Sequence, residues 1–179
     1  MKLMPRLTVV ILVLVMAGAA IGTAGCGSST KVVSQTGENG QVTTRTVPNI
    51  HFAKTKFVAH MALAFGAFHR YIYKPLRVGA FKSGAPGRLK TIFKAGAAAV
   101  FAAHELKLAH ADALSDSHLR PLAEKIEALF GRLGSLGSAL KTGSLNPADI
   151  AGSAGAVSAL GAASGGLGVT IKDVVPALG

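Results

Sequence analysis

The sequence has one cysteine, no tryptophan and few acidic residues, and these shortages limit the kinds of site, core and partner that the protein can have. A single cysteine excludes an internal disulfide and any metal site built from several cysteines. Aromatic residues make up only 6% of the 179 residues, so a core must be assembled mainly from Ala, Val and Leu. With 8 acids against 19 Lys and Arg, the net charge is +11, which favours anionic partners.

Motifs that carry enzyme chemistry are also missing. The sequence contains no nucleophile elbow, zinc-protease helix, phosphate-binding loop or dinucleotide fingerprint. The six histidines do not pair at the four-residue spacing that brings ligands together on one helix, and we interpret them as isolated residues. The sequence therefore predicts a non-catalytic protein without a metal or other cofactor.

The first 25 residues have the pattern of an export signal. Lys2 and Arg6 precede an apolar stretch, residues 7–21, that carries no ionisable side chain. The tetrapeptide Thr23-Ala24-Gly25-Cys26 that follows resembles the lipobox of bacterial lipoproteins. This resemblance implies that a diacylglyceryl group is attached to Cys26, that the leader is removed before it, and that the protein is anchored by lipid on the outer face of the cell membrane. An uncleaved membrane anchor is the alternative, since the apolar stretch is near the lower length limit for a span.

Residues 26–50 leave two interpretations open. Ser, Thr, Gly and Gln dominate without a helical period, which is typical of a flexible tether. Two runs with alternating β-branched residues, 31–36 and 41–47, flank Asn39-Gly40, which indicates a β-hairpin.

Residues 51–165 predict an all-α domain, a small bundle of three or four helices, followed by a tail at 166–179. Apolar residues recur at helical spacing over 52–73, where Pro75 is expected to end the helix, and again over 87–113. Leucines and one isoleucine spaced by three and four form a seam over 119–140. A fourth helix should begin at Asn146-Pro147, because these residues suit the N-cap and first helical positions.

Two of these helices admit a second interpretation. The 119–140 seam needs a partner helix, either within the chain or in a second copy in a homo-oligomer. The fourth helix has no charge between Asp149 and Lys172 and repeats small residues every four positions, which suits burial in the bundle or insertion in a membrane.

The strongest charge feature is a block of ten Lys and Arg between Glu38 and Glu105 without an acid. It is densest in a loop rich in Gly and Pro, whose cations are Lys74, Arg77, Lys82, Arg88 and Lys90. We expect this basic loop to contact anionic lipid or a wall polymer. Export and the lack of interleaved aromatics argue against nucleic acid. A carrier of a small ligand or metal, with its site between the helices, is the alternative function.

Overall fold

The computed structural model describes residues 29–36 and 41–178 and confirms a helical bundle with an N-terminal hairpin. The leader, Cys26 and the expected Asn39-Gly40 turn lie outside the described residues. In chain order the elements are strands β1 (Thr30–Thr36) and β2 (Val42–Pro48), helix α1 (Ala53–Phe68), a π-helical turn (His69–Tyr73), and helices α2 (Lys74–Arg77), α3 (Arg88–Ser115), α4 (Ala123–Thr142) and α5 (Pro147–Gly166). A 3-10 turn, Arg120–Leu122, precedes α4.

The hairpin interpretation of residues 26–50 is confirmed over the described part of that segment. Strands β1 and β2 pair antiparallel from Thr30 with Pro48 to Thr36 with Val42. An isolated hairpin is marginal in water, and this one is held by the bundle: Val47 is 1% exposed, and the Ile50 amide donates to the Ser115 hydroxyl at 2.9 Å. The strands are therefore docked on the last turns of α3.

Helix α3 lies at the centre of the bundle, with α1 and α4 packed antiparallel against it. Alanines on the buried side of α3 permit close approach, and the larger side chains of α1 and α4 fill the remaining space. The 119–140 seam packs inside this one chain, because its seven residues are at most 2% exposed: Leu119, Leu122, Ile126, Leu129, Leu133, Leu136 and Leu140. Self-association along the seam would require the bundle to open.

The prediction that Pro75 ends the first helix is wrong, since helical backbone continues to Arg77. The π-helical turn explains the difference: the Lys74 amide donates to the His69 carbonyl five residues back, which restarts the helical register at Lys74. Pro75 then falls in the first turn of α2, where its missing N–H is not needed.

Helix α5 begins as expected, because the Asn146 side chain accepts from the Ala148 amide at 2.9 Å. Its apolar face packs on the bundle through Ile150, Val157 and Leu160, each at most 2% exposed. Within residues 29–36 and 41–178, no helix combines the length and the apolar content needed to cross a bilayer.

The tail after α5 packs across α1. The Val174 amide donates to the Ala62 carbonyl at 3.0 Å, and the Tyr71 hydroxyl donates to the Pro176 carbonyl at 2.8 Å. Gly66 makes this approach possible, since a Cβ at that position would overlap the Val174 carbonyl.

The bundle consequently has two distinct ends. We call the end that carries the hairpin and residues 113–122 the hairpin end. We call the opposite end, formed by residues 74–90 and 140–147, the basic end.

Candidate functional site

The five cations predicted to contact anions all lie at the basic end. The connection from α2 to α3 is shaped by consecutive turns, in which Gly79, Gly84 and Gly87 adopt positive φ angles of 72°, 79° and 66°. Glycine takes such angles at little steric cost, so the glycines fix the path of the loop. The Arg88 Nε donates to the Phe81 carbonyl at 2.9 Å and ties the start of α3 to the loop.

Within the part of the chain that the structure describes, no ion pair neutralises the charges of this loop. Lys74, Arg77, Lys82 and Lys90 are exposed and Arg88 is half-buried. Over residues 29–36 and 41–178, every ion pair within 4.0 Å involves a histidine, so no described Lys or Arg is paired with an acid. The basic end therefore presents a positive surface to its surroundings.

A strip of large apolar side chains continues from this loop along the outer face of α3. Leu89 is 79% exposed, Phe93 is 78% exposed and Val100 is 56% exposed. Their spacing of four and seven residues places them on one side of the helix, opposite the alanines that face the core. Exposed apolar patches of this kind commonly mark an interaction surface. We call these three residues the α3 apolar strip.

The strip borders a shallow groove between α3 and the end of α4, with a volume of about 710 Å³. Apolar side chains form most of its lining, including Ile92, Phe101 and Leu140, and Lys141 stands at its edge. A smaller cavity of about 340 Å³ lies beneath the basic loop, lined by Leu76, Phe81, Arg88, Leu140 and Leu145 among others. The basic end thus combines cations with accessible apolar surface.

A second cluster lies between α1 and α3, in the half of the bundle near the hairpin. The His60 Nδ1 is 2.7 Å from the Glu105 Oε2, and the His60 Nε2 is 3.9 Å from the Asp112 Oδ2. Glu105 and Asp112 are 7% and 3% exposed. One imidazole therefore lies between two buried carboxyl groups, and the Asp112 Oδ2 makes no hydrogen bond to any described residue.

Burial raises the pKa of Asp112 from 3.8 to about 6, and the charges of His60 and Lys56 oppose this rise. Desolvation disfavours the ionised carboxylate, whereas a nearby cation favours it. The desolvation is the larger effect because Asp112 is almost completely enclosed. The side chain is therefore expected to change its protonation state in mildly acidic solution.

The interpretation of the histidines as isolated residues is wrong for His60 and His69, which pair with acids elsewhere in the chain. Spacing along one helix reveals only partners on that helix, and these pairs join α1 to α3 and to the tail. One feature of the sequence points to these partners of His60. Glu105 and Asp112 are seven residues apart, which places two acids on the same buried stripe of α3 as Ala98, Ala102 and Ala109.

The described residues contain no group of three His, Cys, Asp or Glu side chains that could hold a metal ion. Cys26, the expected lipidation site, lies outside the described residues. Comparison of the chain with models of protein families, with curated proteins and with solved structures finds no match.

Proposed function

We propose that this chain is a lipid-anchored, non-catalytic protein of the bacterial cell envelope, held by acylated Cys26 on the outer face of the membrane, whose basic loop contacts anionic groups of the envelope. The anchor is supported by the leader and by the lipobox-like residues at 23–26. Two acyl chains on one cysteine bind a bilayer firmly, whereas a single chain binds reversibly.

The observation that carries the proposed contact is the unpaired charge of the basic end. Five cations are concentrated there, and no described acid neutralises them. Each cation near an anionic surface contributes about 1 kcal/mol at low ionic strength, and salt weakens the effect. Removal of Lys2 and Arg6 with the leader leaves a net charge of +9, so attraction to anionic material remains in the mature protein.

The anchor is tested with Cys26→Ser. We expect this variant to accumulate uncleaved or to leave the membrane fraction, because it lacks the sulfur that carries the acyl chains. Cell fractionation and mass spectrometry of the mature N-terminus measure both outcomes. A variant that is still cleaved, acylated and retained in membranes would contradict the proposal.

The basic loop is tested by changing Lys74, Arg77, Lys82 and Lys90 to Gln together. A matched control removes the same charge from exposed cations away from the loop, at Lys54, Lys125, Arg132 and Lys172. We expect the loop variant to lose most of its binding to anionic surfaces and the control to lose less, because only the loop concentrates charge. Equal losses would show that net charge alone, and not the loop, determines binding.

A second function, carriage of a small ligand, is supported by the cavity beneath the basic loop. Its volume of about 340 Å³ is near the lower limit of ligand sites, and Lys82 and Arg88 lie in its apolar lining. An amphipathic anion such as a fatty acid matches this lining. Isothermal titration with a fatty acid and with its methyl ester tests the idea: binding of the acid alone, weakened by Arg88→Gln, supports carriage, and equal or absent binding of both rejects it.

A further inference from the structure

The position of the anchor relative to the bundle follows from the base of the hairpin. The Asn49 amide donates to the Ser29 carbonyl at 2.6 Å, which fixes Ser29 beside the start of α1. Cys26 precedes Ser29 by three residues, and an extended chain of that length reaches about 10 Å. An acyl group on Cys26 therefore keeps the hairpin end close to the bilayer surface.

The basic loop lies at the other end of α3. This helix has 28 residues and is about 42 Å long. If the bundle stood upright on its anchor, the basic loop would be about 40 Å from the headgroups, several times the Debye length of about 8 Å in physiological salt. The loop contacts anionic lipid of the same bilayer only if α3 lies along the surface.

The hairpin and the α3 apolar strip lie on the same side of α3. The hairpin reaches this helix at Leu114 and Ser115, through the pocket that Val33 and Val47 share with Leu114 and through the bond from the Ile50 amide. At 3.6 residues per turn, Leu114 and Ser115 lie about 60° and about 40° from Phe93 around the helix axis. The hairpin, whose first described residue Ser29 follows Cys26 by three positions, therefore lies on the same side of α3 as the strip.

The charges around the strip complement an anionic bilayer. Lys90 and Lys94 flank Leu89 and Phe93 on α3, and Lys141 lies across the groove. No acid occurs between residues 39 and 104. A helix with apolar side chains on its outer face and cations beside them binds at the boundary between headgroups and acyl chains. A soluble anionic polymer would satisfy the cations but would leave the strip in water.

We propose that α3 lies along the membrane surface, with Leu89, Phe93 and Val100 inserted at the level of the headgroups and the basic loop on anionic lipid phosphates. This inference rests on the proposed anchor at Cys26, which holds the hairpin end of the same face. In this orientation the groove side of α3 lies against the bilayer, while α5 and the tail face away from the bilayer.

The absence of tryptophan makes a direct test possible. Phe93→Trp and Val175→Trp each introduce a single probe into the full protein, purified from membranes and reconstituted in vesicles. Val175 is 52% exposed and belongs to the tail, which packs on α1 on the side away from α3. In vesicles that contain phosphatidylglycerol, brominated lipids should quench Phe93→Trp at least two-fold and Val175→Trp hardly at all.

The same measurement in phosphatidylcholine vesicles tests the contribution of charge. We expect weaker quenching of Phe93→Trp there, and Lys90→Gln with Lys94→Gln should weaken it in phosphatidylglycerol as well. Equal quenching at positions 93 and 175, or none at position 93, would overturn the proposed orientation. A response of Phe93→Trp to an added anionic wall polymer but not to lipid would overturn it in favour of an upright bundle.

Mass spectrometry of the N-terminal peptide from the same preparation separates the two proposals. If Cys26 carries acyl groups and Phe93→Trp is not quenched, the orientation of α3 is wrong and the anchor stands. If Cys26 carries no acyl group, the anchor is wrong, and the orientation of α3 is decided by the quenching of Phe93→Trp alone.

Discussion

The two halves of α3 differ in how much of their surface is covered by other parts of the chain. In the half near the hairpin, β2 and the Ile50 amide contact the last turns of the helix, and His60 meets the buried acids Glu105 and Asp112 on the inner face. In the half near the basic loop, the inner face carries alanines, and the outer face exposes Leu89 and Phe93. The first half leaves only Leu108, at 36%, among its large apolar side chains exposed, whereas the second leaves all three residues of the α3 apolar strip more exposed than that. The half near the basic loop is therefore the part of the helix with the larger apolar surface left for a partner.

The largest expected effect contrasts Leu129→Ala with Phe93→Ala. Leu129 is 1% exposed, so its truncation leaves a cavity in the core and should cost about 2 to 5 kcal/mol of unfolding free energy. Phe93→Ala should change that free energy by less than about 0.5 kcal/mol, because Phe93 contacts mainly solvent. Urea unfolding measures both. A similar cost for the two variants would show that Phe93 packs within the free protein.

The second effect concerns pH and the buried acid. Because the pKa of Asp112 is raised to about 6, the folded state binds a proton more tightly than the unfolded state. The resulting stabilisation is fully present below pH 3.8 and is lost as the pH rises through about 6, by up to about 3 kcal/mol. Asp112→Asn should remove this part of the pH dependence, which thermal unfolding between pH 4 and pH 7 would measure.

Asp149→Asn is the matched control for that experiment, because Asp149 is an exposed carboxyl in the first turn of α5. Its replacement should leave the pH slope of the parent protein in place. If Asp112→Asn leaves the same slope, the carboxyl of Asp112 does not titrate in the enclosed position described above.

The third effect compares two side-chain oxygens that accept hydrogen bonds from nearby backbone amides, one in the turn after α3 and one at the start of α5. Asp116 Oδ1 accepts from the His118 amide at 2.8 Å and the Leu119 amide at 3.3 Å, whereas Asn146 Oδ1 accepts from the Ala148 amide at 2.9 Å. Replacement of either residue by Ala should cost about 1 kcal/mol. Amide hydrogen exchange should localise the loss to 117–122 in the first variant and to the start of α5 in the second. A loss spread evenly over the bundle would contradict the local role of these hydrogen bonds.

The smallest expected change in unfolding free energy comes from replacing glycines in the half of α4 nearer the basic end. Gly134 faces open space, so Gly134→Ala should raise the unfolding free energy by about 0.8 to 1 kcal/mol through helix propensity alone. Gly137→Ala should gain less, because the new Cβ would lie 3.4 Å from the Ala99 Cβ. Urea unfolding distinguishes them. Equal gains would mean that α3 and α4 can separate slightly at this level without cost.

Several elements could be predicted from the sequence because their causes are local. Asn146-Pro147 predicts the start of α5, and the alternating β-branched residues on both sides of residues 39–40 indicate the hairpin. The continuation of helix past Pro75 could not be predicted in this way, because it depends on a π-helical turn that shifts the register by one residue.

The candidate surface was only partly visible in the sequence. The five cations of the basic loop are close together along the chain, so composition revealed them. The α3 apolar strip was not recognised, because Leu89 carries the same helical signal as a core residue and only the placement of α1 and α4 decides which side is covered.

Local signals in the sequence specify the helical bundle, the 119–140 seam and the positive charge between Glu38 and Glu105, because periodicity, capping and composition act over short stretches of chain. Three features arise only when the helices pack together: which face of α3 is exposed, the pairing of His60 with Glu105, and the crossing of the tail over α1 at Gly66. Each of these contacts joins residues more than 40 positions apart or depends on two helices at once, and no local preference of the chain specifies such a pairing.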